Sequence, residues 1–246
     1  MSELIVDLCV EKGLQAEQDL LASVCAGDAN HGLLFWRPSD RALVMPRRMS
    51  RLPGFIKASE SLADSGWPIL LRETGGEPVP QSSATVNIAL IYAQPSTDLD
   101  RDRIETAYRR LCQPILDVLG NGASLGEVDG AFCDGRFNVN FNGRKMVGTA
   151  QRWRASQGGL RPVVLAHGAL LVDDEREQMV AAVNRFNVLC ELDSRVRAES
   201  HIALHEVFAA SSVENSQNRG QASASPLCSE IFQRLEQQYR AILASF

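Results

Sequence analysis

The dipeptide Asn142-Gly143 constrains the fold more than any other feature of this sequence. Both central positions of a tight two-residue hairpin turn need a positive φ, which Asn and Gly adopt most easily. The residues before it alternate in polarity, as in a strand with one buried face: Phe137, Val139 and Phe141 alternate with Arg136, Asn138 and Asn140. The sequence therefore predicts a β-hairpin around this turn.

A two-residue turn also fixes which residues lie opposite each other on the two strands. The predicted pairs are Phe141 with Arg144, Asn140 with Lys145, and Asn138 with Val147. Lys145 then lies on the polar face of the hairpin, which is suited to lining a pocket. Cys133 lies in the loop before the first strand, near a glycine that lets backbone approach closely.

Cys133 and Lys145 together suggest acyl chemistry. A lysine held on a strand can bind an acyl carbonyl or an acyl-phosphate, and a cysteine thiolate next to a cation can attack such a group. Each residue also has an ordinary structural explanation. A loop cysteine is more often a small buried hydrophobe, and a lysine after such a turn is usually a solvated charge. The spacing alone leaves both interpretations open.

A second candidate segment follows a short apolar strand over residues 68–72 and contains Gly75-Gly76. Paired glycines beside a strand let backbone N–H groups hold an anion or lie against a ligand chain, although a plain turn is the commoner explanation. His167 lies within the apolar run 162–173, which predicts a buried strand. The alternatives for His167 are a hydrogen-bonded core histidine and a neighbour of the pocket.

Composition excludes several classes of function. The chain has 25 basic and 30 acidic side chains, a net charge of −5, which argues against a general nucleic-acid binder. A local basic cluster does occur at Arg47, Arg48 and Arg51. The six cysteines form no CxxC pair and no histidine stands at ligand spacing from one, so we expect no metal site. With no signal peptide or apolar span in the sequence, we expect a cytoplasmic protein with free thiols and no membrane contact.

Apolar periodicity predicts the remaining elements. Residues 14–25 form a helix whose buried stripe excludes Glu17, and residues 32–46 form a hairpin of two buried strands. A helix over residues 101–119 points Ile104 inward and is kinked or split at Pro114. Further helices are predicted over 55–65, 174–190 and 194–210. Residues 1–210 would form one catalytic domain, 211–225 a flexible polar loop, and 226–246 a docking helix.

Several segments resemble the biotin/lipoate protein ligase superfamily. Residues 143–152 are similar to its G-R/K-K-x-x-G-x-A/S-Q segment, and Arg72, Thr74, Gly75 and Gly76 match its R-x-S/T-G-G motif. Asn87 lies in a strand like the family's L-N-x-S strand, and His167-Gly168 resembles its H-G-x-I/L-L segment. Cys133, followed by Gly135, Asn138 and Lys145, resembles the cysteine-dependent branch, the octanoyl-transferring enzymes that use the glycine-cleavage H protein.

The resemblance implies one α/β domain with a mixed, largely antiparallel central sheet flanked by helices, as in the class II aminoacyl-tRNA synthetases and biotin synthetases. It implies that Cys133 carries an octanoyl or lipoyl group as a thioester and that Lys145 stabilises the oxyanion. The implied acyl site is completed by Arg72, Thr74, Gly75, Gly76, Asn87, Gly148, Thr149, Ala150 and His167. The implied partners are lipoyl-domain proteins such as the glycine-cleavage H protein and 2-oxoacid dehydrogenase acyltransferase subunits, with no cofactor required.

Two rival functions stay open at this point. An ATP-dependent lipoate or biotin-type ligase would use ATP and Mg²⁺, with Cys133 incidental. A non-catalytic member would bind acyl groups or carrier proteins without turnover. The glycine loop departs from the ligase pattern, since Glu77, Pro78 and Pro80 stand where ligases typically have a third glycine and a Tyr-His-Asp-like run. Glu77 would repel a phosphate and the prolines lack N–H donors, so the loop favours either function without ATP.

Overall fold

The computed structural model describes residues 4–95, 100–159, 161–213 and 225–246. The strands are β1 (Val6–Leu8), β2 (His31–Pro38), β3 (Ala42–Pro46), β4 (Ile69–Arg72), β5 (Val79–Gln81), β6 (Thr85–Ala93), β7 (Ala123–Leu125), β8 (Val139–Phe141), β9 (Arg144–Ala155) and β10 (Pro162–Leu171). The α-helices are α1 (Val10–Ala26), α2 (Phe55–Asp64), α3 (Arg103–Leu119), α4 (Arg176–Leu189), α5 (Leu204–Val213) and α6 (Ser225–Leu243). Within these residues, no helix is both long and apolar enough to span a bilayer.

Two sheets organise the chain. The larger sheet has the order β1-β2-β6-β10-β9-β8-β7, and only its β1–β2 pair is parallel. The smaller sheet has the order β4-β3-β5. Helices α3 and α6 pack on one side of the larger sheet, α1 packs against β2, β6 and β10, and α2 with α4 covers the smaller sheet. This α/β architecture with a mixed, largely antiparallel sheet confirms the predicted fold class.

The predicted hairpin over residues 32–46 is wrong, because β2 and β3 lie in different sheets. β2 pairs with β6 and β1, whereas β3 pairs with β4 and β5. The turn between them holds the start of α1 instead, since the Asp40 carboxylate accepts a hydrogen bond of 2.7 Å from the Val10 amide. Two strands rich in apolar residues look alike in sequence whichever partner they take.

The hairpin around Asn142-Gly143 is present, with φ of 48° and 74° at the two turn positions. Phe141 lies opposite Arg144 and Asn140 opposite Lys145, as predicted. The third predicted pair is wrong: a bulge at Met146 places Val139, not Asn138, opposite Val147. β8 therefore begins at Val139, and Arg136–Asn138 belong to the preceding loop. An extra residue on one strand changes the register without leaving a periodicity signal.

Helix α1 is longer than predicted and buries a different stripe. Its buried residues are Val10, Gly13, Glu17, Leu21 and Val24. The carboxylate of Glu17 is buried because the Trp36 indole N–H donates to it at 2.9 Å, so its exclusion from the buried stripe was wrong. Gly13 makes the packing possible, since a Cβ there would lie 2.4 Å from the Trp36 ring.

Helix α3 differs from expectation at two positions. It runs unbroken through Pro114, and Ile104 is 54% exposed rather than buried. The other four predicted inward residues, Ala107, Leu111, Ile115 and Val118, are buried as expected. The Tyr239 hydroxyl of α6 donates to the Leu111 carbonyl at 2.6 Å and ties the two helices together.

The helix predicted over residues 194–210 is confined to α5, and residues 194–203 form an irregular segment with one short 3₁₀ turn. That segment runs beside β9, where the Ile202 amide donates to the Lys145 carbonyl at 2.9 Å. Helix α6 buries Ile231, Leu235 and Tyr239 as predicted. Residues 214–224 of the predicted polar loop lie outside the described residues, and the proposed division of the chain stays a prediction.

Candidate active site

The glycine loop, residues 73–78, leaves β4 and curls around the side chain of Arg72. One Arg72 nitrogen, Nη2, donates to the carbonyls of Gly75 at 2.9 Å and Glu77 at 3.2 Å. Arg48 donates to the carbonyl of Gly76 from the solvent side. These two arginines hold the loop by binding its backbone carbonyl oxygens. The backbone N–H groups of the loop are not used by these bonds, and that of Glu77 points to Cys133.

Cys133 lies directly beneath this loop. Its Sγ accepts a hydrogen bond of 3.2 Å from the Glu77 amide and lies 3.9 Å from Arg72 Nη2. A Cβ on Gly76, whose φ is 101°, would lie 2.8 Å from that sulfur, so only glycine allows this approach. Cys133 itself has a φ of 48°, a left-handed conformation that is uncommon outside Gly, Asn and Asp. Strain of this kind is characteristic of functional positions.

Lys145 is fully buried below the cysteine. Its Nζ donates to the carbonyls of Phe132 at 2.5 Å and Cys133 at 2.6 Å. Burial lowers the pKa of this amine to about 8, although the nearby Cys133, Asp134 and Glu77 act in the opposite direction. The structure therefore brings Cys133 and Lys145 together, as predicted. The amine donates its hydrogen bonds to backbone carbonyls at the cysteine, including that of Cys133 itself, and not to the sulfur.

Three further side chains fix the nucleophile loop, residues 131–138. His201 Nε2 accepts the Phe132 N–H at 3.2 Å, and its Nδ1 lies 2.9 Å from the Arg197 carbonyl, which it can reach only as a donor. Burial, together with the charge of Lys145, lowers the pKa of His201 to about 4, so the ring is neutral at pH 7. Asp134 accepts hydrogen bonds from the amides of Val128 and Gly135 and from the Asn138 side chain.

Cys133 opens into a narrow cleft lined by residues of β9, β10 and α1. Six of the predicted substrate-binding residues line this cleft: Arg72, Asn87, Gly148, Thr149, Ala150 and His167. Thr74 does not line the cleft itself, but its hydroxyl is in hydrogen-bond contact with His167, which does. Gly75 has open space around it and lies outside the cleft. Gly76 packs directly against the Cys133 sulfur. The cleft also has apolar walls, contributed by Leu14, Val44, Val79 and Ala169, which suit an alkyl chain.

Gln81 lines the cleft beside Asn87 and was not predicted. The two amides exchange hydrogen bonds of 3.1 Å and 2.9 Å, and the Thr85 hydroxyl donates to the same Gln81 oxygen at 3.0 Å. Their polar groups are thereby paired with each other, and they form a fixed wall. The only sequence signal was its place in the stretch that departs from the ligase pattern.

Like Gln81 and His201, Glu17 was not predicted from the sequence as a residue of the site. Its carboxylate lies 2.7 Å from His167 Nδ1, and His167 Nε2 lies 3.1 Å from the Thr74 hydroxyl. Glu17 is 1% exposed, and with Trp36 it completes a hydrogen-bonded chain that ends at the cleft. His167 is therefore hydrogen-bonded in the core and also lines the cleft, and its role beside an acyl group stays a prediction.

Comparison with known proteins decides the family. A model of the lipoyl protein ligase A/B catalytic domain matches residues 10–207. The chain belongs to this family. It is 32% identical over 207 residues, 80% of this chain and 68% of the relative, to a Kyrpidia tusciae protein named octanoyl-GcvH:protein N-octanoyltransferase. It is also 34% identical to an uncharacterised protein of Cupriavidus necator, over 69% of this chain and 72% of the relative.

Solved structures place this lipoyl protein ligase A/B family member among lipoate ligases in fold. A lipoate-protein ligase A structure bound with ATP aligns with a TM-score of 0.56 at 15% identity, covering 99% of this chain and 95% of that one. A putative lipoate protein ligase of Thermoplasma acidophilum with bound lipoic acid gives 0.55 at 15% identity, covering 100% and 96%. The predicted superfamily is confirmed, and these matches confirm the fold.

Proposed function

We propose that this family member is an acyltransferase of protein lipoylation that carries an octanoyl or lipoyl group on Cys133 as a thioester. One observation carries the proposal: the Cys133 sulfur, held in a left-handed loop, accepts the Glu77 N–H at the mouth of a cleft with apolar walls. The name of the Kyrpidia tusciae relative, an octanoyl transferase, supports the same chemistry.

The proposed reaction has two balanced steps. In the first, the Cys133 sulfur attacks the carbonyl carbon of an octanoyl-lysine amide on a carrier protein. A C–S bond forms, the C–N bond breaks, and the carrier's lysine leaves as an amine that takes up the thiol proton. In the second, an acceptor lysine amine attacks the thioester carbonyl, a C–N bond forms, the C–S bond breaks, and the proton that the amine loses goes to the departing sulfur. Two acyl transfers replace one difficult amide exchange, with no ATP.

The structure suggests a positioning role for Lys145. Its Nζ donates to two carbonyls of the nucleophile loop, so it fixes the Cys133 peptide in its left-handed conformation. Arg72 and the Glu77 N–H are the donors at the sulfur, and they are therefore our candidates for stabilising charge on the acyl oxygen. We assign the protein partners predicted from the sequence, the glycine-cleavage H protein and 2-oxoacid dehydrogenase acyltransferase subunits, as donor and acceptors.

An octanoylated carrier protein tests the nucleophile. We expect intact-mass spectrometry to show one octanoyl group on Cys133, lost on hydroxylamine treatment because hydroxylamine cleaves a thioester and spares an amide. Cys133→Ala should abolish both the adduct and transfer, and Cys133→Ser should leave at most a slow oxygen ester. Cys25→Ala is the matched control, a half-buried thiol away from the cleft, and should keep full transfer. Transfer by Cys133→Ala would reject the assignment.

An ATP-dependent ligase is the second candidate, favoured by the fold shared with the ATP-bound lipoate-protein ligase A structure. The glycine loop of this chain does not fit a nucleotide phosphate. The Glu77 N–H is taken by the Cys133 sulfur, Pro78 and Pro80 have no N–H, and the exposed Glu77 carboxylate would repel an anion. We expect no pyrophosphate when the protein is incubated with ATP, Mg²⁺ and octanoate or lipoate. Steady acid-dependent release would favour the ligase.

The third candidate, an acyl or carrier binder without turnover, shares the cleft but not the reaction. It predicts that octanoylated carrier binds while neither an adduct on Cys133 nor a modified acceptor accumulates. A single time course that tracks the carrier, the acceptor and this protein by mass therefore separates the binder from the transferase.

A further inference from the structure

The basic cluster seen in the sequence forms a short 3₁₀ turn between β3 and α2, residues Arg47–Arg51, here called the arginine turn. Met49 is buried in the core beneath the smaller sheet and anchors it. Arg47, Arg48 and Arg51 are all exposed. One buried methionine thus fixes three cations on one surface element. Arg48 also holds the glycine loop, but none of the three guanidinium groups takes part in the acyl chemistry.

The arginine turn borders the entrance to Cys133. Arg48 donates to the carbonyl of Gly76, and Gly76 packs directly on the Cys133 sulfur. Side chains three residues apart lie on the same side of a 3₁₀ helix, so Arg51 lies above Arg48. Any macromolecule that delivers a lysine to the sulfur past the glycine loop therefore meets these guanidinium groups.

The charge at this entrance is positive although the whole chain is acidic, with a net charge of −5. Arg47 and Arg152 both pair with Glu73, and their hydrogen bonds, Arg152 first, lower the pKa of that carboxyl. The single negative charge of Glu73 is therefore paired with two positive charges. Arg48 binds a neutral carbonyl, and no carboxylate of the described residues forms an ion pair with Arg48 or Arg51. With the exposed Glu77 carboxylate also counted, Arg47, Arg48, Arg51 and Arg152 still outnumber Glu73 and Glu77, so a surplus of positive charge remains beside the cleft.

We infer that the arginine turn docks an acidic surface around the acyl-bearing lysine of the carrier and acceptor proteins. The inference rests on the proposed function, since a protein substrate must bring its own surface against the glycine loop for its lysine to reach Cys133. Complementary charge at the rim of an interface speeds encounter and fixes register, and salt screens it. The arginine turn is a specificity element for protein substrates and has no part in acyl chemistry.

The test compares two acyl donors on charge variants of Arg51, which touches neither the sulfur nor the glycine loop. One donor is the octanoylated glycine-cleavage H protein, and the other is the neutral octanoyl thioester of N-acetylcysteamine. We expect Arg51→Glu to lower the second-order rate of Cys133 acylation by the carrier roughly ten-fold at low salt, and Arg51→Ala to lower it less. The small thioester should acylate every variant at the wild-type rate.

Arg234→Glu is the matched control, because Arg234 is exposed on α6, which packs on α3 and β2, and the substitution changes net charge equally. A second measurement is independent of turnover: carrier binding to Cys133→Ala protein, with and without Arg51→Glu, over a salt series. We expect Arg51→Glu to weaken binding and flatten its salt dependence, and Arg234→Glu to change neither.

The outcomes separate the two proposals. If Arg51→Glu slows Cys133 acylation by the carrier protein but not by the small thioester, docking on the arginine turn is supported. Equal carrier kinetics in wild type and Arg51→Glu overturns docking and leaves the thioester on Cys133 standing. Equal loss with both donors also overturns it, since the residue would then act on the cleft or on folding. No acylation of wild-type Cys133 by either donor overturns the proposed function, and docking with it.

Discussion

The Cys133 sulfur is approached from two sides that are held in different ways. On the inner side, the nucleophile loop is fixed by buried groups, namely the Lys145 amine on two carbonyls and the His201 ring on one amide. On the outer side, the glycine loop is fixed by arginines bound to its exposed backbone, Arg72 and Arg48. The nucleophile loop is thus held by contacts in the core, while the glycine loop above it is held by hydrogen bonds that are exposed to solvent.

The two kinds of contact differ in strength for a physical reason. A buried carbonyl that loses its charged partner stays desolvated and costs about 1–3 kcal/mol, whereas an exposed one recovers water. Exposed ion pairs contribute about 0–1 kcal/mol. Segments with exposed hydrogen bonds and few buried contacts open at the lowest free energy. We therefore expect the glycine loop, and not the nucleophile loop, to be the side that opens for a substrate.

The largest effect should come from the inner side. Lys145→Ala removes the donor to the Phe132 and Cys133 carbonyls and so releases the nucleophile from its reactive position; we expect acyl transfer to fall roughly 100-fold, as for a misplaced reacting group. Steady-state transfer to a lipoyl domain measures it, with circular dichroism to show that the variant folds. Arg144→Ala, one residue away and 41% exposed, is the control and should stay near wild type. Near-wild-type transfer by folded Lys145→Ala would show that Lys145 is not needed to hold the nucleophile loop in its reactive position.

The next effect tests the outer side with a pair of adjacent glycines. A Cβ on Gly76 would lie 2.8 Å from the sulfur, while a Cβ on Gly75 would meet nothing within 4 Å. Because small displacements at a reacting centre cost up to about 100-fold, Gly76→Ala should slow Cys133 acylation roughly 10- to 100-fold. Gly75→Ala should stay within ~2-fold. Equal effects of the two substitutions would contradict the packing of Gly76 on the nucleophile.

The pH dependence of stability tests the inner side again. Burial lowers the pKa of His201 from 6.5 to about 4, so within that window the unfolded chain binds a proton that the folded chain does not. The free energy of unfolding must therefore fall as the pH drops from 6.5 to about 4. His201→Gln keeps an acceptor for the Phe132 N–H but cannot titrate, and it should flatten this slope in urea unfolding. An unchanged slope in His201→Gln would mean that the ring is hydrated.

The smallest effect is expected for the surface pair on the outer side. Arg152 Nη1 lies 2.6 Å from Glu73 Oε2, with both side chains partly exposed. Arg152→Ala should lower the free energy of unfolding by less than ~1 kcal/mol, and by still less at high salt. Urea unfolding at two ionic strengths measures it. A loss well beyond that would show that the glycine loop is held as firmly as the nucleophile loop.

Much of the active site could be predicted because its signals are local. Asn142-Gly143 needs positive φ at both positions, and two of its three predicted cross-strand pairs are present, including Asn140 with Lys145. The motif containing Arg72 and Gly76 does lie against Cys133. His201 and Glu17 could not be found in this way, because each reaches the site from a segment with no local pattern that points to it.

The sequence by itself determined the hairpin turn, the periodic elements and the pairing of a loop cysteine with a strand lysine, and the resemblance of its short motifs to a known superfamily implied the family and the class of fold. Only the tertiary structure decided where the lysine points. A bulge at Met146 and the segment around His201 bury Lys145 beneath the nucleophile loop, and neither leaves a trace in period-two alternation. Tertiary contacts likewise sent β2 and β3 to different sheets and buried Glu17 against Trp36. Long-range partners are chosen by packing and by the satisfaction of buried polar groups, and a local pattern contains neither.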